Sequence, residues 1–246
     1  FCDVLVIGAG STGLMAALTA ARAGADVILA DEDSLLGGRL NNEVEDIDGQ
    51  AASDWAAGVV AELRQMPNVR VMSRTTVTGA YDQGTYGALE RVAHHLGNRG
   101  GLPLECFWRI VARRAILAAG AIERPVAFRN NDRPGIMTAS AVRTYLNRYG
   151  VAPGRRVTVF GNNDDAHRTA RDLVAAGVHV AAVIDSRHDA PDSGEFPVIK
   201  GAMICDSAGR QRLESVTIRS VNGEEKLQTD CLAVSGGWNP SVHLTC

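Results

Sequence analysis

Short apolar runs broken by glycine alternate along this chain with stretches of helical spacing. Residues 3–7 (Asp3-Val4-Leu5-Val6-Ile7) form the first run, followed by Gly8-Ala9-Gly10-Ser11-Thr12-Gly13. Apolar positions then recur at helical spacing over 14–23 until Gly24 stops the pattern. Residues 26–30 (Asp26-Val27-Ile28-Leu29-Ala30) read as the next strand, and Asp31 stands at its end. A strand, a glycine turn, a helix, a second strand and a terminal acid in this order predict a βαβ unit built to hold a dinucleotide.

The residue types fit that chemistry. Gly8 permits a tight turn off the strand, Gly10 lets a pyrophosphate approach the backbone, and Gly13 lets helix and strand pack closely. The free N–H groups of the helix N-terminus face the phosphates. Asp31 can accept both ribose hydroxyls of an adenosine. With Glu32 and Asp33 beside it, a 2′-phosphate would meet a cluster of like charge. The pattern therefore favours NAD or FAD over NADP.

Past Asp31, Gly37-Gly38-Arg39 makes a flexible corner whose cation is a candidate phosphate or ribose contact, with a solvated loop arginine as the alternative. Residues 53–66 have helical periodicity, with Ser53 as N-cap and Pro67 past the end. A strand at 69–72 precedes Thr75-Thr76-Val77, where such folds pass the adenine. Residues 90–93 and 106–111 predict an antiparallel pair around a turn at 97–101, and 115–120 a separate buried strand ending in Ala-Gly. Helical spacing returns over 138–149 and stops at Gly150.

A second pattern of the same kind starts at 156–160 and runs through a helix at 166–176 to a strand at 178–184 that ends at Asp185. Its turn, Gly161-Asn162-Asn163-Asp164-Asp165-Ala166, keeps only the first glycine. Asn163 stands where phosphate would need a glycine, and Asp164 and Asp165 put carboxylates at the helix N-terminus. Acids there satisfy the amides internally and repel a pyrophosphate. Strands follow near 201–204 and 214–220, with a hairpin turn at Asn222-Gly223. The run 230–240 echoes 115–120 and is expected to return the chain to the first domain, and residue 246 comes before any closing helix, as in a piece of a longer chain. The predicted fold class is α/β: two nested Rossmann-like dinucleotide-binding domains, FAD/NAD(P)-binding and glutathione-reductase-like, three-layered with parallel central sheets. Residues 1–125 with 226–246 form the first, split domain, and 126–225 form the second with a degenerate site.

Composition narrows the function classes. A chain of 246 residues with 46% hydrophobic content can bury a full core, and its net charge of −3 without a basic run argues against a nucleic-acid partner. No apolar segment approaches the ~20 residues of a membrane span. Five cysteines (Cys2, Cys106, Cys205, Cys231, Cys246) are scattered, with neither a C-x-x-C pair nor a zinc spacing. They predict reduced thiols in a cytoplasmic protein, and no metal. No general base or nucleophile stands out, since Glu123 and Asp132 sit in predicted loops, so the catalytic residues stay unassigned.

The runs 118–125 (AAGAIERP), 131–137 (NDRPGIM), 141–150 (AVRTYLNRYG) and 234–240 (VSGGWNP), with the altered turn Asn162-Asn163-Asp164, resemble the α subunit of heterotetrameric sarcosine oxidase over nearly the whole chain. Opine oxidase and hydrogen cyanide synthase subunits look similar in a coarser way. The resemblance implies an enzyme that oxidatively demethylates sarcosine to glycine, formaldehyde and hydrogen peroxide, with partner β, γ and δ subunits. It implies NAD in the first site, FMN at the interface with the β subunit and FAD on that subunit. It assigns cofactor contacts to Gly8, Gly10, Gly13 and Asp31, with Ser11 and Thr12 standing where many relatives carry Pro-Ala, and further contacts to Glu32, Arg39, Val77 and Gly120. The folate-binding region of that family is absent here, so catalysis would need more than this segment. The competing function is a pyridine-nucleotide reductase with FAD in the first site and NADH in the second. Asp164, Asp165 and the missing cysteine pair count against it. A scaffold with a purely structural nucleotide is the third.

Overall fold

The computed structural model describes residues 1–245, so Cys246 lies outside the described residues. The chain forms two compact units. One is Phe1–Ala121 joined by the end of the chain from Pro240, and the other is Ile122–Asn239.

In the first unit the elements run β1 (Cys2–Ile7), α1 (Ser11–Arg22), β2 (Val27–Ala30), β3 (Asp46–Ile47), β4 (Gln50–Ala51), α2 (Ala52–Gln65), β5 (Val69–Met72), β6 (Thr75–Tyr81), β7 (Thr85–Arg91) and β8 (Glu105–Leu117). Six of the strands make one sheet in the order β5-β2-β1-β8-β7-β6. From Val4 to Ile7 strand β1 is apolar because both of its faces are covered, as a central parallel strand requires, while Asp3 near its start is partly exposed. Val6 packs with Leu14 and Leu18 of α1 and Val60 and Leu63 of α2. Leu5 and Ile7 point the other way, into a cluster with Met72, Val77, Ala88 and Ile110. Helix α1 buries Gly13, Leu14, Ala17, Leu18 and Ala21, one stripe at helical spacing.

Three local expectations change. Helix α2 is capped two residues earlier, at Ala51 and with no side-chain cap, so Ser53 lies inside the helix. Residues 75–77 open a hairpin, β6–β7, which turns at Gly84 with φ +69°. The two strands expected at 106–111 and 115–120 are one thirteen-residue strand, β8. Its first half runs antiparallel to β7 (Arg91↔Glu105 through Thr85↔Val111), and its second half runs parallel to β1 (Cys2↔Ala112 through Ile7↔Leu117). Arg113 and Arg114 look like a break in the sequence, but both side chains are exposed, so the strand passes through them.

The second unit contains β10 (Ile136–Thr138), α3 (Ala139–Arg143) continued by one π turn at Thr144–Arg148, β11 (Arg156–Gly161), α4 (Asp164–Ala175), β12 (His179–Asp185), β13 (Val198–Lys200), β14 (Met203–Ala208), β15 (Ser215–Ser220), β16 (Gly223–Gln228) and β17 (Cys231–Ser235). Its parallel sheet has the order β10-β17-β11-β12-β13, and β14-β15-β16 form a separate antiparallel sheet. The β15–β16 hairpin closes at Ser220↔Gly223, with φ +107° at Gly223.

The domain boundaries differ from expectation. The crossings fall within β9 (Ala121–Glu123) and β18 (Trp238–Pro240), so the first leaves after Ala121 rather than 125, and the return comes after Asn239 rather than at 226. Strand β17 was expected to rejoin the first domain, yet it lies between β10 and β11 and pairs in parallel with both. A short strand buried at every position satisfies any sheet with two covered faces, so its residue types do not name its neighbours.

Candidate dinucleotide site

The turn between β1 and α1 uses its three glycines for different reasons. A Cβ on Gly8, where φ is +97°, would lie 2.4 Å from the Ala118 carbonyl oxygen, and one on Gly13 would lie 1.8 Å from the Gly8 carbonyl oxygen. Both positions admit only glycine because protein packs on them. A Cβ on Gly10 would meet nothing within 4 Å. Its missing side chain therefore leaves space for something other than this unit.

That space sits at the N-terminus of α1. Gly10 is the N-cap, offers no side chain to the first amides, and no acid lies in the first turn. Ser11 and Thr12 are exposed beside it, while Gly13 is buried. Four N–H groups at a helix start need outside acceptors, and an uncapped, acid-free start is suited to an anion. The Gly37-Gly38 loop runs alongside as expected: the Gly37 N–H donates to the Ala9 carbonyl at 2.9 Å, and a Cβ on Gly38 would come 3.1 Å from the Gly10 Cα. Arg39 follows this loop, and its guanidinium is held by Glu43, with Nε at 2.9 Å and Nη2 at 2.7 Å from Oε1. A phosphate contact from Arg39 would have to compete with that carboxylate.

Asp31 closes the other end. Its Oδ2 accepts the Ala9 N–H at 2.6 Å and its Oδ1 accepts the Asp33 N–H at 2.8 Å. The carboxylate thus fixes the glycine turn and the acidic loop together, and each oxygen retains acceptor capacity for a ribose hydroxyl. Glu32 is exposed, and its carbonyl oxygen accepts from Arg91. Val77 is 5% exposed with its side chain in the core, so only its backbone could touch a ligand. Gly120, at φ +67°, follows the end of β8 with open space at its Cβ position, and its carbonyl accepts the Ser241 N–H at 2.9 Å. The turn, Asp31 and the Gly37-Gly38 loop converge, and Val77 is turned away. Sequence reasoning missed Arg74 and Arg91, which brace the acidic loop from distant positions and match no local motif.

Because Asp31 serves protein and ligand alike, Asp31→Ala is expected to weaken dinucleotide binding by about 1.5–3 kcal/mol and to cost about 1–3 kcal/mol of stability, since the buried Ala9 N–H loses its acceptor. Calorimetric titration and urea unfolding measure the two effects. Reduced affinity at unchanged stability would show that Asp31 serves the ligand alone.

The corresponding turn of the second unit is filled by its own side chains. Asn163 caps α4 by accepting the Asp165 N–H at 3.0 Å, and its Nδ2 donates to the Ser235 carbonyl at 3.1 Å. The Asp165 carboxylate accepts from Trp238 Nε1 at 3.2 Å and lies 3.5 Å from Arg143 Nη1. Asp185, the counterpart of Asp31, is fully buried and accepts from Arg187 Nε at 3.1 Å, Arg187 Nη2 at 2.9 Å and His167 Nε2 at 2.8 Å. Burial pushes the Asp185 carboxyl up, but the hydrogen bonds from Arg187 and His167 prevail and hold it below the usual range. A pyrophosphate and ribose fit the first turn, with its open Gly10 and bare helix start. They do not fit the second.

No other chemistry is assembled nearby. Burial pushes the Cys231 thiol up to about 12, the behaviour of a packing residue. Among the described residues, no group of three or more His, Cys, Asp and Glu side chains is placed to hold a metal ion, and no helix is long and apolar enough to cross a membrane.

A βαβ turn open at one glycine, a bare helix start and a terminal acid, on a sheet of this order, define a dinucleotide-binding module of the FAD/NAD(P)-dependent oxidoreductase class. The family described as FAD dependent oxidoreductase matches residues 3–111. The chain is 50% identical over 248 residues to the sarcosine oxidase subunit alpha of Rhizobium meliloti (strain 1021), covering 100% of this chain and 25% of that protein. It is 43% identical to the same subunit of Corynebacterium sp. (strain P-1), covering 98% of this chain and 27% of that one. The fold is similar to Lactococcus lactis thioredoxin reductase, with a TM-score of 0.76 at 15% identity over 100% of this chain and 80% of that one. The chain belongs to the sarcosine oxidase α-subunit family and spans about a quarter of the length of these curated relatives.

Proposed function

We propose that this chain is the NAD-holding part of the α subunit of a multi-subunit sarcosine oxidase. The whole enzyme would convert sarcosine, dioxygen and water into glycine, formaldehyde and hydrogen peroxide, with β, γ and δ subunits as partners. The observation that carries the reading is the open face of Gly10 at the bare start of α1, opposite Asp31. Backbone amides there would bind the pyrophosphate, and Asp31 would orient the adenosine ribose. Glu32 and Asp33 would exclude a 2′-phosphate, which supports NAD over NADP. FMN at the interface with the β subunit and FAD on that subunit belong to the same proposal. When bound, these flavins would supply the electron-accepting chemistry, and this segment's residues would bind and orient a nucleotide. Its free thiols support a cytoplasmic location.

A second reading places FAD in the first site, and the match of residues 3–111 to the FAD dependent oxidoreductase family favours it. In a reductase, however, NADH would need the second turn, where Asn163 and Asp165 take the place of phosphate. Denaturing the purified protein and identifying the released nucleotide by mass spectrometry, alongside a visible flavin spectrum, decides between them. NAD without flavin is expected. Stoichiometric FAD would move the redox chemistry into this segment and overturn the assignment.

A further inference from the structure

The acidic loop after β2 is held by a ring of bonds that the dinucleotide motif does not contain. Arg91, the last residue of β7, donates its Nη2–H to the Glu32 carbonyl oxygen at 2.9 Å, across 59 residues of sequence. Its backbone N–H donates to the Arg74 carbonyl at 2.9 Å, and the Arg74 N–H donates to the Asp33 carbonyl at 2.9 Å. The Thr75 N–H adds a bond of 2.7 Å to the Asp31 carbonyl. Every carbonyl of the Asp31-Glu32-Asp33 loop is thereby held from the β5–β7 side of the unit. Arg74 sits at φ +53°, a left-handed conformation that a residue with a side chain seldom adopts. The bonds on either side of it hold that conformation, as expected where a strained residue is kept for positioning.

Arg91 is exposed, and its guanidinium reaches the acidic loop through a main-chain carbonyl. Its bond therefore acts on the path of the loop's main chain. A set of acids can discriminate against a 2′-phosphate only if it cannot swing away from it.

We infer that Arg91 is a positioning residue for the adenosine end of the dinucleotide: through Glu32 and Arg74 it fixes the acidic loop and sharpens selection of NAD over its 2′-phosphorylated form. This rests on the proposed nucleotide function. Arg91 acts through the loop, without touching the cofactor.

The test titrates NAD and NADP into the wild-type chain, Arg91→Ala and Arg91→Lys, and follows amide hydrogen exchange at residues 31–35 in the same proteins. Arg91→Ala is expected to weaken NAD binding about three- to tenfold, the scale of one net hydrogen bond, and to lower the NAD-to-NADP affinity ratio. Arg91→Lys should recover part of both effects, because an ammonium can still donate to the Glu32 carbonyl. Exchange at Asp33, Ser34 and Leu35 should quicken in the alanine variant. Equal weakening of both nucleotides would indicate general loosening and overturn the inference, as would a loss confined to NADP, which would make Arg91 a direct phosphate contact. Unchanged exchange at 31–35 would also overturn it. If the wild-type chain bound neither nucleotide, the proposed function would fail, and exchange alone would decide whether Arg91 holds the loop.

Discussion

Gly10→Ala is expected to abolish dinucleotide binding while the protein stays folded. A Cβ at this position has no protein atom within 4 Å, and φ of −71° suits alanine. The stability change should therefore stay within about 1 kcal/mol, the difference between glycine and alanine at a helix N-cap. The methyl group would instead stand where a pyrophosphate approaches the α1 amides. Losing one or two charge-assisted hydrogen bonds there costs about 3 kcal/mol or more, at least a hundredfold in affinity. Gly13→Ala should behave in the opposite way. Its Cβ would overlap the Gly8 carbonyl at 1.8 Å, so the turn must move, at a cost at or above the upper end of the ~1–3 kcal/mol typical of overpacking. Gly161→Ala is the control from the second unit. Its Cβ would lie 2.7 Å from the Ala166 Cβ, so it should lower stability and leave affinity unchanged. Titration calorimetry with NAD, paired with thermal unfolding, separates the three. Greater loss of affinity from Gly161→Ala than from Gly10→Ala would place the site in the wrong unit.

Asp185→Ala should produce the largest stability loss of the substitutions considered, and none in nucleotide affinity. The carboxylate is fully buried and neutralises Arg187 while accepting from buried His167. Removing it leaves buried His167 without its acceptor and Arg187 with Asp164 alone, a cost at the lower end of the about 3–5 kcal/mol for a broken buried pair. The pH dependence carries a sign. The folded-state pKa of Asp185 is depressed, so its contribution is fully present above the unfolded value of about 3.9 and is lost as pH falls through the lower folded value. Urea unfolding should show a wide gap between wild type and Asp185→Asn at pH 7, narrowing below about pH 4. A constant gap across that range, or a loss under about 1 kcal/mol, would show that Asp185 does not hold this network. Uptake of a second equivalent of nucleotide by the variant would mean that the second turn is masked rather than rebuilt.

The two turns show why some of the site was legible before any coordinates. Gly8, Gly10 and Gly13 act through backbone geometry within one turn, and Asp31 stands at the end of the adjoining strand, so the spacing of residue types carries the arrangement. The altered second turn was legible for the same reason, since Asn163, Asp164 and Asp165 are neighbours in sequence and cap one helix start. Arg39 and Val77 lie outside that motif. One found a partner in Glu43, and the other belongs to the buried face of β6. The first is an i,i+4 pair within local reach, whereas the burial of Val77 depends on the strands that cover it.

The sequence by itself determined the βαβ units, the open and the altered turn, and the acid at the end of each first-pair strand, because hydrophobic period, glycine conformation and helix capping act over a few residues. Tertiary structure alone decided that β8 is one strand serving two neighbours and that β17 belongs between β10 and β11. It also decided that His167 pairs with Asp185 and that Arg91 braces Glu32. Each of these is a choice of partner between residues or strands separated in the chain. An apolar strand or an arginine carries the energy for such a pairing but no record of where its partner lies.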